Sequence, residues 1–292
     1  MSRVALIGEN SVEYVNALLD IWNNGDCAVL LDWRIPFKTA VKMMVEAGVT
    51  RCCIESGKYD DEKDIFSESF ELEVFERKSD SAELLPQYIY DKYHDNYSDN
   101  EAIVIYSSGT TGTAKGIILS HYAIQTNADA IIDYMNPSVG DCIYIAKVIS
   151  HSSTLTGELL VALKSGMKVV VASTIVPPRV ILGNIERFHA SIICLNPILL
   201  SMFCDEINRK SYNFSSLRII YVSGSILNDE IYEKAHSTIA NIPIYNVYGL
   251  SEAGPRVTAQ RTEYCNGNSV GKPIKNVDVT RCWENSKKQQ RK

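Results

Sequence analysis

The 292-residue sequence has little of what marks membrane, secreted or nucleic-acid-binding proteins. No apolar run approaches the roughly 18 residues that a membrane-spanning helix needs. The first residues contain one basic side chain and a short apolar stretch, which predict a strand rather than a signal peptide. The sequence also lacks a basic stripe with interleaved aromatic residues, which argues against nucleic acid as a partner. We therefore expect a soluble, cytoplasmic protein with no membrane span.

The eight cysteines lack the spacing of a zinc or redox site. No pair has the Cys-x-x-Cys pattern, and most cysteines lie inside apolar runs, where they are typical of small core residues. Cys52 and Cys53 are adjacent in a predicted strand, so their side chains should point to opposite faces. We expect reduced thiols and neither disulfides nor a metal centre.

The charge is concentrated in one segment. Residues 60–101 carry 14 acidic and 4 basic side chains, so the rest of the chain is positive by four although the whole chain has a net charge of −6. An acidic run of this kind predicts a solvated face. The net positive charge of the chain outside residues 60–101 is compatible with an anionic small-molecule ligand.

Short apolar runs alternate with helix-period segments along most of the chain. The first fifty residues indicate strand–helix–strand–helix–strand, with Asn10 as the predicted cap of the first helix and Glu13 completing a capping box. Residues 56–100 lose this alternation and predict a connection with short elements. From Ala102 the alternation resumes. The pattern predicts a layered α/β protein with as many as two sheets and with ligands at the carboxyl ends of its strands.

A loop of small polar residues lies between two predicted strands, at 107–116. It contains five hydroxyls, three glycines and Lys115 in the run Ser107-Ser108-Gly109-Thr110-Thr111-Gly112-Thr113-Ala114-Lys115-Gly116. Glycines let backbone N–H groups turn toward an anion, and hydroxyls and a lysine add donors and charge. The spacing is not that of a Walker A loop. The composition is compatible with polyphosphate binding and also with an ordinary surface turn.

A second cluster, Tyr245–Gly254, follows another predicted strand. Tyr248 could stack on a base, and Glu252 could bind Mg²⁺, which prefers one or two carboxylates plus phosphate oxygens. The alternative is a strand end with a capping serine and a solvated glutamate.

Together and in this order, the two clusters resemble the signature motifs of the adenylate-forming superfamily, which includes acyl- and aryl-CoA synthetases, luciferases and adenylation domains of peptide synthetases. Ala114 stands where most members have proline, and Ser251 replaces threonine but keeps the hydroxyl. The turn 223–225 resembles the adenine-pocket turn, and Ser269–Pro273 resembles the start of the third subdomain. The resemblance runs from about residue 3 to 280.

The resemblance implies ATP-dependent activation of a small carboxylic acid to an acyl-adenylate, with CoA or a carrier thiol as acceptor. It implies catalytic roles for Lys115, His151 and Glu252, with Thr111 and Glu252 as Mg²⁺ ligands. The implied ATP-binding residues are Ser107, Ser108, Gly109, Thr110, Thr111, Gly112, Thr113, Lys115, Gly116, Ser223, Gly224, Ser225, Asn246, Tyr248, Gly249, Leu250, Ser251 and Glu252. His151 would lie beside the substrate carboxylate.

It also implies an organisation: layered parallel-sheet lobes of the adenylate-forming N-terminal domain, lacking the small C-terminal domain. We expect a first lobe at 1–100 with the acidic connection, a second lobe with the ATP motifs at 101–265, and the start of a third, β subdomain at 266–292. The family's ribose-binding aspartate and late catalytic lysine have no counterpart here, since Asp278 has the wrong context. We therefore expect weak activity from this chain alone.

Two alternatives stay open. One is a non-catalytic nucleotide-binding module, or a split ligase completed in trans by a lysine-bearing C-terminal domain. The other is an adenylation domain of peptide-synthetase type. The second is disfavoured because residues 146–154 contain no carboxylate that would pair with an amino-acid ammonium group.

Overall fold

The computed structural model describes residues 1–107, 114–174, 176–261 and 269–280. Its strands, in chain order, are β1 (Arg3–Ile7), β2 (Cys27–Leu31), β3 (Arg51–Glu55), β4 (Glu71–Phe75), β5 (Glu83–Leu84), β6 (Glu101–Ser107), β7 (Lys115–Ser120), β8 (Cys142–Ile145), β9 (Lys168–Val171), β10 (Ile192–Leu195), β11 (Ile219–Val222), β12 (Ile244–Gly249), β13 (Arg256–Ala259) and β14 (Lys272–Pro273).

The α-helices separate these strands. They are α1 (Val12–Asn23), α2 (Phe37–Glu46), α3 (Lys63–Ser69), α4 (Gln87–Lys92), α5 (His121–Met135), α6 (Ser152–Thr154), α7 (Val161–Ser165), α8 (Pro178–Phe188), α9 (Pro197–Arg209) and α10 (Asp229–Thr238). Between α6 and α7, residues Leu155–Leu160 form π-helical turns. Where the sequence predicts one regular helix over 152–165, the structure therefore inserts an irregular segment.

Within the described residues the strands form two sheets, which confirms the α/β prediction. The first sheet has the order β4-β3-β1-β2-β6-β7 and is parallel except at β7. The second has the order β14-β13-β12-β11-β10-β8-β9-β5 and is parallel from β12 to β9, with antiparallel strands at both edges. The loop at 107–116 joins β6 to β7, so both strands beside it belong to the first sheet. The domain boundary at residue 100 stays a prediction; in the structure β6 and β7, up to Ser120, belong to the first sheet, whereas the earlier strand β5 belongs to the second.

The core has three parts, and one of them lies between the sheets. This shared cluster joins Val4 and Leu6 of the first sheet to Ile143 and Tyr221 of the second through α1, α5 and the π-helical turns. A second cluster packs α8, α9 and α10 on the outer face of the second sheet. A third packs α2 and α3 on the outer face of the first. The result is an alternation of helical and sheet layers around one common interior.

The start of α1 corrects one prediction. Ser11, not Asn10, is the N-cap, and its Oγ accepts a hydrogen bond of 3.0 Å from the amide of Tyr14. Asn10 instead ties the first sheet to the second. Its Nδ2 donates to the carbonyl of Lys147 (2.8 Å), and its Oδ1 accepts from the amide of Ile149 (2.9 Å). Glu13 is consequently one position too early for the predicted capping box.

The acidic connection contributes more structure than expected. The sequence predicts only short elements over residues 56–100, but β4 extends the first sheet in register with β3, and β5 pairs with β9 at the edge of the second. In β4, Glu71 and Glu73 are exposed, which places charge on a sheet edge where it hinders pairing with another chain. The segment therefore links both sheets.

The described cysteines behave as the sequence predicts. All six are free and buried. Cys52 packs in the outer cluster and Cys53 in the shared one, so the two side chains do point to opposite faces. Burial raises the pKa of both thiols to about 12, which keeps them protonated and unreactive near neutral pH.

Candidate active site

Every predicted binding residue that the structure describes lies within the last four residues of a strand, in the segment that follows it, or at the start of the next strand. The segments that contain them leave β6, β8, β11 and β12. In open parallel sheets this is the edge where ligands bind, because the helical crossovers leave a crevice there. The predicted motifs therefore meet at one edge although they are far apart in the sequence.

Three clefts adjoin one another at this edge, and all three include Gly224 in their walls. The central cleft has a volume of about 320 Å³ and the side cleft about 280 Å³. The large cleft has a volume of about 560 Å³. The turn after β11, Ser223–Ser225, is thus the common wall of all three.

The central cleft is lined mainly by hydroxyl groups. These belong to Ser107, Ser152, Ser153, Ser223 and Ser251, with Tyr106, His151 and Arg256 beside them. No carboxylate is among its described lining residues. Ser152 Oγ donates to Ser251 Oγ at 3.2 Å, which joins the segment after β8 to the turn after β12. A wall of donors with one guanidinium suits an anionic group.

The side cleft adds an aromatic surface. Tyr248, 44% exposed, lines it together with Ser225, Asn246 and Val270. Asn246 is buried, and its Nδ2 donates to the carbonyl of Ser269 at 3.0 Å. Asn246 therefore has two roles: it lines the side cleft, and it holds the segment that begins at Ser269 beside that cleft.

Two glycines shape the walls. Gly224 has φ of +96°, a backbone conformation that disfavours any other residue. At Gly249 a Cβ atom would lie 2.1 Å from the carbonyl oxygen of Pro255, which itself accepts a hydrogen bond from the amide of Leu250 (2.9 Å). The turn after β12 folds back onto its own strand too closely for a side chain.

The same turn is anchored by a residue that sequence reasoning missed. Asn127 on α5 donates to the carbonyls of Ala253 (3.2 Å) and Arg256 (2.9 Å), and its Oδ1 accepts from the amide of Arg256 (3.0 Å). Asparagine at helical spacing carries no recognisable motif, so only the fold identifies it. The peptide bond between Gly254 and Pro255 is cis.

The Ser/Thr/Gly-rich loop is described only at its two ends. Ser107 lines the central cleft and pairs across the β6–β7 ladder with Lys115, while Gly116 pairs with Tyr106. Lys115 is exposed and is not among the described residues that line the central cleft. The predicted ligands Ser108, Gly109, Thr110, Thr111, Gly112 and Thr113 lie outside the described residues.

Glu252 lies beside the central cleft rather than in its wall. It is exposed and lines a neighbouring hollow of about 270 Å³ with Thr126 and Lys275. No group of three or more potential metal-binding side chains exists among the described residues. A single accessible carboxylate fits Mg²⁺ only where phosphate oxygens and water supply the other ligands, which is how this ion usually binds with nucleotides.

His151 lies at the junction of the central and large clefts, where its ring is accessible. Loss of hydration inside the cleft lowers its pKa. Nearby Arg34 and Lys147 lower the pKa further, and Asp32 opposes them. The neutral imidazole is therefore favoured near pH 7, as a hydrogen-bonding group rather than a fixed charge.

Two further charged residues reach the site without a sequence motif. Lys147 lines the large cleft, and Arg256, 3% exposed, lines the central one. Both interact with Glu158, which is fully buried in the π-helical turns. Residues 146–154 contain no acidic side chain, and no sequence motif identifies Lys147, Arg256 or Glu158 as part of a site.

A family model supports the resemblance. The model described as AMP-binding enzyme matches residues 1–285. 4-coumarate–CoA ligase 5 of Oryza sativa subsp. japonica is 27% identical over 161 residues, which are 53% of this chain and 30% of that protein. 4-coumarate-CoA ligase 1 of Narcissus pseudonarcissus is 25% identical over 195 residues, which are 63% of this chain and 35% of that protein. The chain thus matches about a third of the length of these relatives.

Solved structures share the fold. A long-chain-fatty-acid-CoA ligase from Archaeoglobus fulgidus superposes with a TM-score of 0.79 at 20% identity, covering 94% of this chain and 57% of that one. An anthranilate CoA ligase in complex with anthranoyl-AMP superposes with a TM-score of 0.77 at 17% identity. The match covers 94% of this chain and 54% of that one. None of the described helices is both long and apolar enough to cross a membrane.

Proposed function

Because this chain belongs to the AMP-binding enzyme family, whose model matches residues 1–285, we propose that it is the nucleotide- and acid-binding part of a carboxylic acid–thiol ligase. In this proposal ATP and a carboxylic acid form an acyl-adenylate. The acyl group then passes to the thiol of CoA or of a carrier.

The observation that carries the proposal is the meeting of three clefts at Gly224. Three connected spaces correspond to the three parts of the reacting complex. The side cleft, with Tyr248 and Asn246, suits a purine. The hydroxyl-lined central cleft suits the phosphates, and the large cleft suits the acyl part of the acid.

The chemical obstacle is the approach of two anions. A carboxylate oxygen attacks the α-phosphorus while the bond to the pyrophosphate oxygen breaks, and pyrophosphate leaves with the electron pair. The serine hydroxyls and Arg256 would orient and partly neutralise the phosphates, and neutral His151 would lie near the attacking carboxylate. Lys115, close in the ladder to Ser107, would bind phosphate from the edge of the cleft. Mg²⁺, bound by Glu252 and by Thr111 of the loop, would add charge neutralisation.

The acid is best assigned by what the large cleft lacks. Its described walls contain Arg34, Lys147 and His151 but no carboxylate. An amino-acid ammonium group would therefore bind without a counter-charge, which is costly in a partly buried site. The 4-coumarate–CoA ligases that the chain resembles are named for an aryl acid without an amino group, which agrees with this assignment. Completion by a lysine-bearing C-terminal domain, in the same chain or in trans, is part of the proposal.

Calorimetric titration with ATP and Mg²⁺ tests the nucleotide site. We expect one saturable site per chain. Gly224→Val should weaken it by roughly tenfold or more, about 1.4 kcal/mol, because the branched side chain distorts the common wall of the clefts. Gly57→Val is the matched control. Gly57 also has positive φ (+85°), has no neighbour within 4 Å of its Cβ position and lies away from the clefts. Absence of saturable binding, or equal weakening by both variants, would contradict the proposal.

A non-catalytic nucleotide-binding role is the second candidate. One observation favours it, namely that Lys115 and Glu252, both predicted to be catalytic, are not among the described residues of the central cleft wall. Isotope exchange between pyrophosphate and ATP distinguishes the two candidates. When the lysine-bearing C-terminal domain is supplied, acid-dependent exchange supports the ligase, and tight nucleotide binding without exchange under any acid supports the binding module.

A further inference from the structure

Glu158 is an unusual residue to find in the shared core. Its side chain has no solvent exposure, and it lies in the π-helical turns Leu155–Leu160. Burial raises the pKa of its carboxyl group, and the charges of Lys147 and Arg256 oppose that rise. A buried carboxylate without partners would cost several kcal/mol, so these two cations are what makes it tolerable. π-Helical segments in α-helices are frequent at functional sites.

Lys147 connects this buried charge to the large cleft. It follows the carboxyl end of β8, and its Nζ lies 3.1 Å from Glu158 Oε1 and 3.2 Å from Ser223 Oγ. An ammonium group has three N–H donors, and these two contacts occupy at most two of them. The side chain is 15% exposed and forms part of the wall of the large cleft. The remaining donor is therefore available to a ligand in the cleft.

The charges around Glu158 do not cancel. Lys147 and Arg256 contribute two positive charges against one carboxyl group, so the cluster of three has an excess of at least one positive charge. Arg256 acts on the same carboxyl group through its charge, and its guanidinium lies beside Gly157, with Nη2 2.9 Å from the position of a Cβ there. With Arg256 facing the central cleft, Lys147 is the member of this cluster that the large cleft meets, and Arg34 in the same wall is paired with Asp32.

The wall of the large cleft is otherwise amphipathic. Ile198, Leu199 and Met202 form an apolar side, and the polar side contains Lys147 and Arg34 with no carboxylate among the described lining residues. Its volume of about 560 Å³ is that of a site for a small organic acid. Such a wall fits a molecule with an apolar middle and a second anionic end.

We propose that the large cleft selects a dicarboxylic acid, whose non-reacting carboxylate binds to Lys147 Nζ. The inference rests on the proposed function, since it concerns the acid that is activated. Glu158 acts as a positioning residue, because its ion pair holds the ammonium group of Lys147 in the wall of the large cleft. Lys147 is then the residue that determines specificity between mono- and dicarboxylic acids.

Affinities of matched acids test this inference. The protein is first saturated with Mg²⁺ and α,β-methylene-ATP, which cannot transfer its nucleotidyl group. It is then titrated calorimetrically with hexanoic against hexanedioic acid, and with cinnamic against 4-carboxycinnamic acid. We expect each diacid to bind roughly tenfold or more tightly than its monoacid, since a hydrogen bond between two charged groups is the strong kind. 4-Hydroxycinnamic acid tests whether a neutral oxygen suffices, and affinity equal to that of the diacid would overturn the assignment of a second carboxylate.

Lys147→Met should abolish the preference, which is the ratio of the monoacid to the diacid dissociation constant and is compared within each variant. Because this change leaves Glu158 buried without its ion pair, the double variant Lys147→Met/Glu158→Gln is tested beside it, as a neutral pair of similar size. Lys147→Arg should restore part of the preference. Lys168→Met, at an exposed lysine at the start of β9, is the control and should retain the full preference.

The outcomes separate the two proposals. If α,β-methylene-ATP does not bind, the proposed function is overturned and this inference with it. If the nucleotide binds but no diacid preference exists, or the preference survives in the double variant, the inference alone is overturned.

Discussion

At Gly249 the chain passes so close to its own next turn that a side chain has no space. The atom nearest to the Cβ position is a backbone oxygen, that of Pro255 at 2.1 Å, so no rotamer change can relieve the contact. The turn after β12 contributes Leu250 and Ser251 to the central cleft. The shape of this wall therefore depends on the absence of one methyl group.

Gly249→Ala should destabilise the protein by about 2 kcal/mol or more and weaken ATP binding, because the turn must move away from β12. Urea unfolding and nucleotide titration measure the two effects. Gly183→Ala is the control: Gly183 lies within α8 with no neighbour within 4 Å of its Cβ position, so we expect a gain of about 0.5–1 kcal/mol. Wild-type stability and affinity in Gly249→Ala would show that the turn is free to shift.

Single residues were predictable from the sequence only where they belong to a motif. Ser223, Tyr248 and Ser251 lie at or just after strand ends in recognisable runs, and the structure does bring them to one edge. Asn127 and Glu158 act through the fold: one anchors a turn more than a hundred residues away, and the other is a charge in an otherwise apolar helix. No local pattern predicts such partners, because both contacts depend on tertiary packing.

At the scale of elements, Asp141 joins three strands at the edge opposite the clefts. It precedes β8, and its carboxylate accepts hydrogen bonds from Arg218 Nε (2.7 Å) and Nη2 (2.6 Å), just before β11, and from Ser191 Oγ (2.7 Å), just before β10. Burial alone would raise its pKa, but the hydrogen bonds from Arg218, Ser138 and Ser191 more than offset this and hold the pKa well below its usual range. Each strand start is thus fixed by one shared carboxylate.

Asp141→Asn should lower the free energy of unfolding at pH 7 by about 1–3 kcal/mol, because two charge-assisted bonds are lost. The contribution of a carboxylate with a depressed pKa is complete above its unfolded pKa, roughly 3.9, and is lost as the pH falls toward the folded value. The difference in the free energy of unfolding between wild type and Asp141→Asn should therefore shrink as the pH falls from 5 to 2.5. Urea unfolding midpoints measured at each pH report this difference. Asp133→Asn, whose carboxylate lies 3.7 Å from Arg261 on the surface, should show a small effect at every pH. A difference for Asp141→Asn that is independent of pH would contradict this account.

Most elements were predictable because their periodicity is strong. The sequence pattern predicts strands at 27–31 and 192–195 and a helix at 121–135, and β2, β10 and α5 have these bounds. The short edge strands β4 and β5 were not predicted. Edge strands bury only one side, so charges such as those of Glu71 and Glu73 interrupt the apolar pattern that identifies inner strands. The π-helical turns have the composition of an ordinary helix and could not be distinguished from one.

At the scale of the whole molecule, the two sheets share one interior. The alternation of strands and helices predicts parallel sheets, but which strands pair is decided by contacts between distant segments, so the order within each sheet had to come from the structure. Ile131 on α5 and Leu159 in the π-helical turns are fully buried in the cluster that contains strands from both sheets. A common core of this extent makes independent unfolding of either sheet unfavourable, since each would expose the same apolar surface.

The two sheets should therefore unfold in one transition. A cavity beside either sheet should then lower the free energy of unfolding of both. Phe203→Ala removes a fully buried ring from the outer cluster of the second sheet, with an expected loss of about 3–5 kcal/mol. Hydrogen exchange followed by mass spectrometry in rising urea reports β1 and β10 on separate peptides. We expect the opening free energies of both strands to fall by the same amount, although Phe203 does not belong to the cluster that packs on β1. Val139→Ala, at an 80% exposed position, should leave the opening free energies of both strands unchanged. A fall confined to β10 would mean that the sheets are separate cooperative units, and the common wall at Gly224 would then have to be maintained by the second sheet alone.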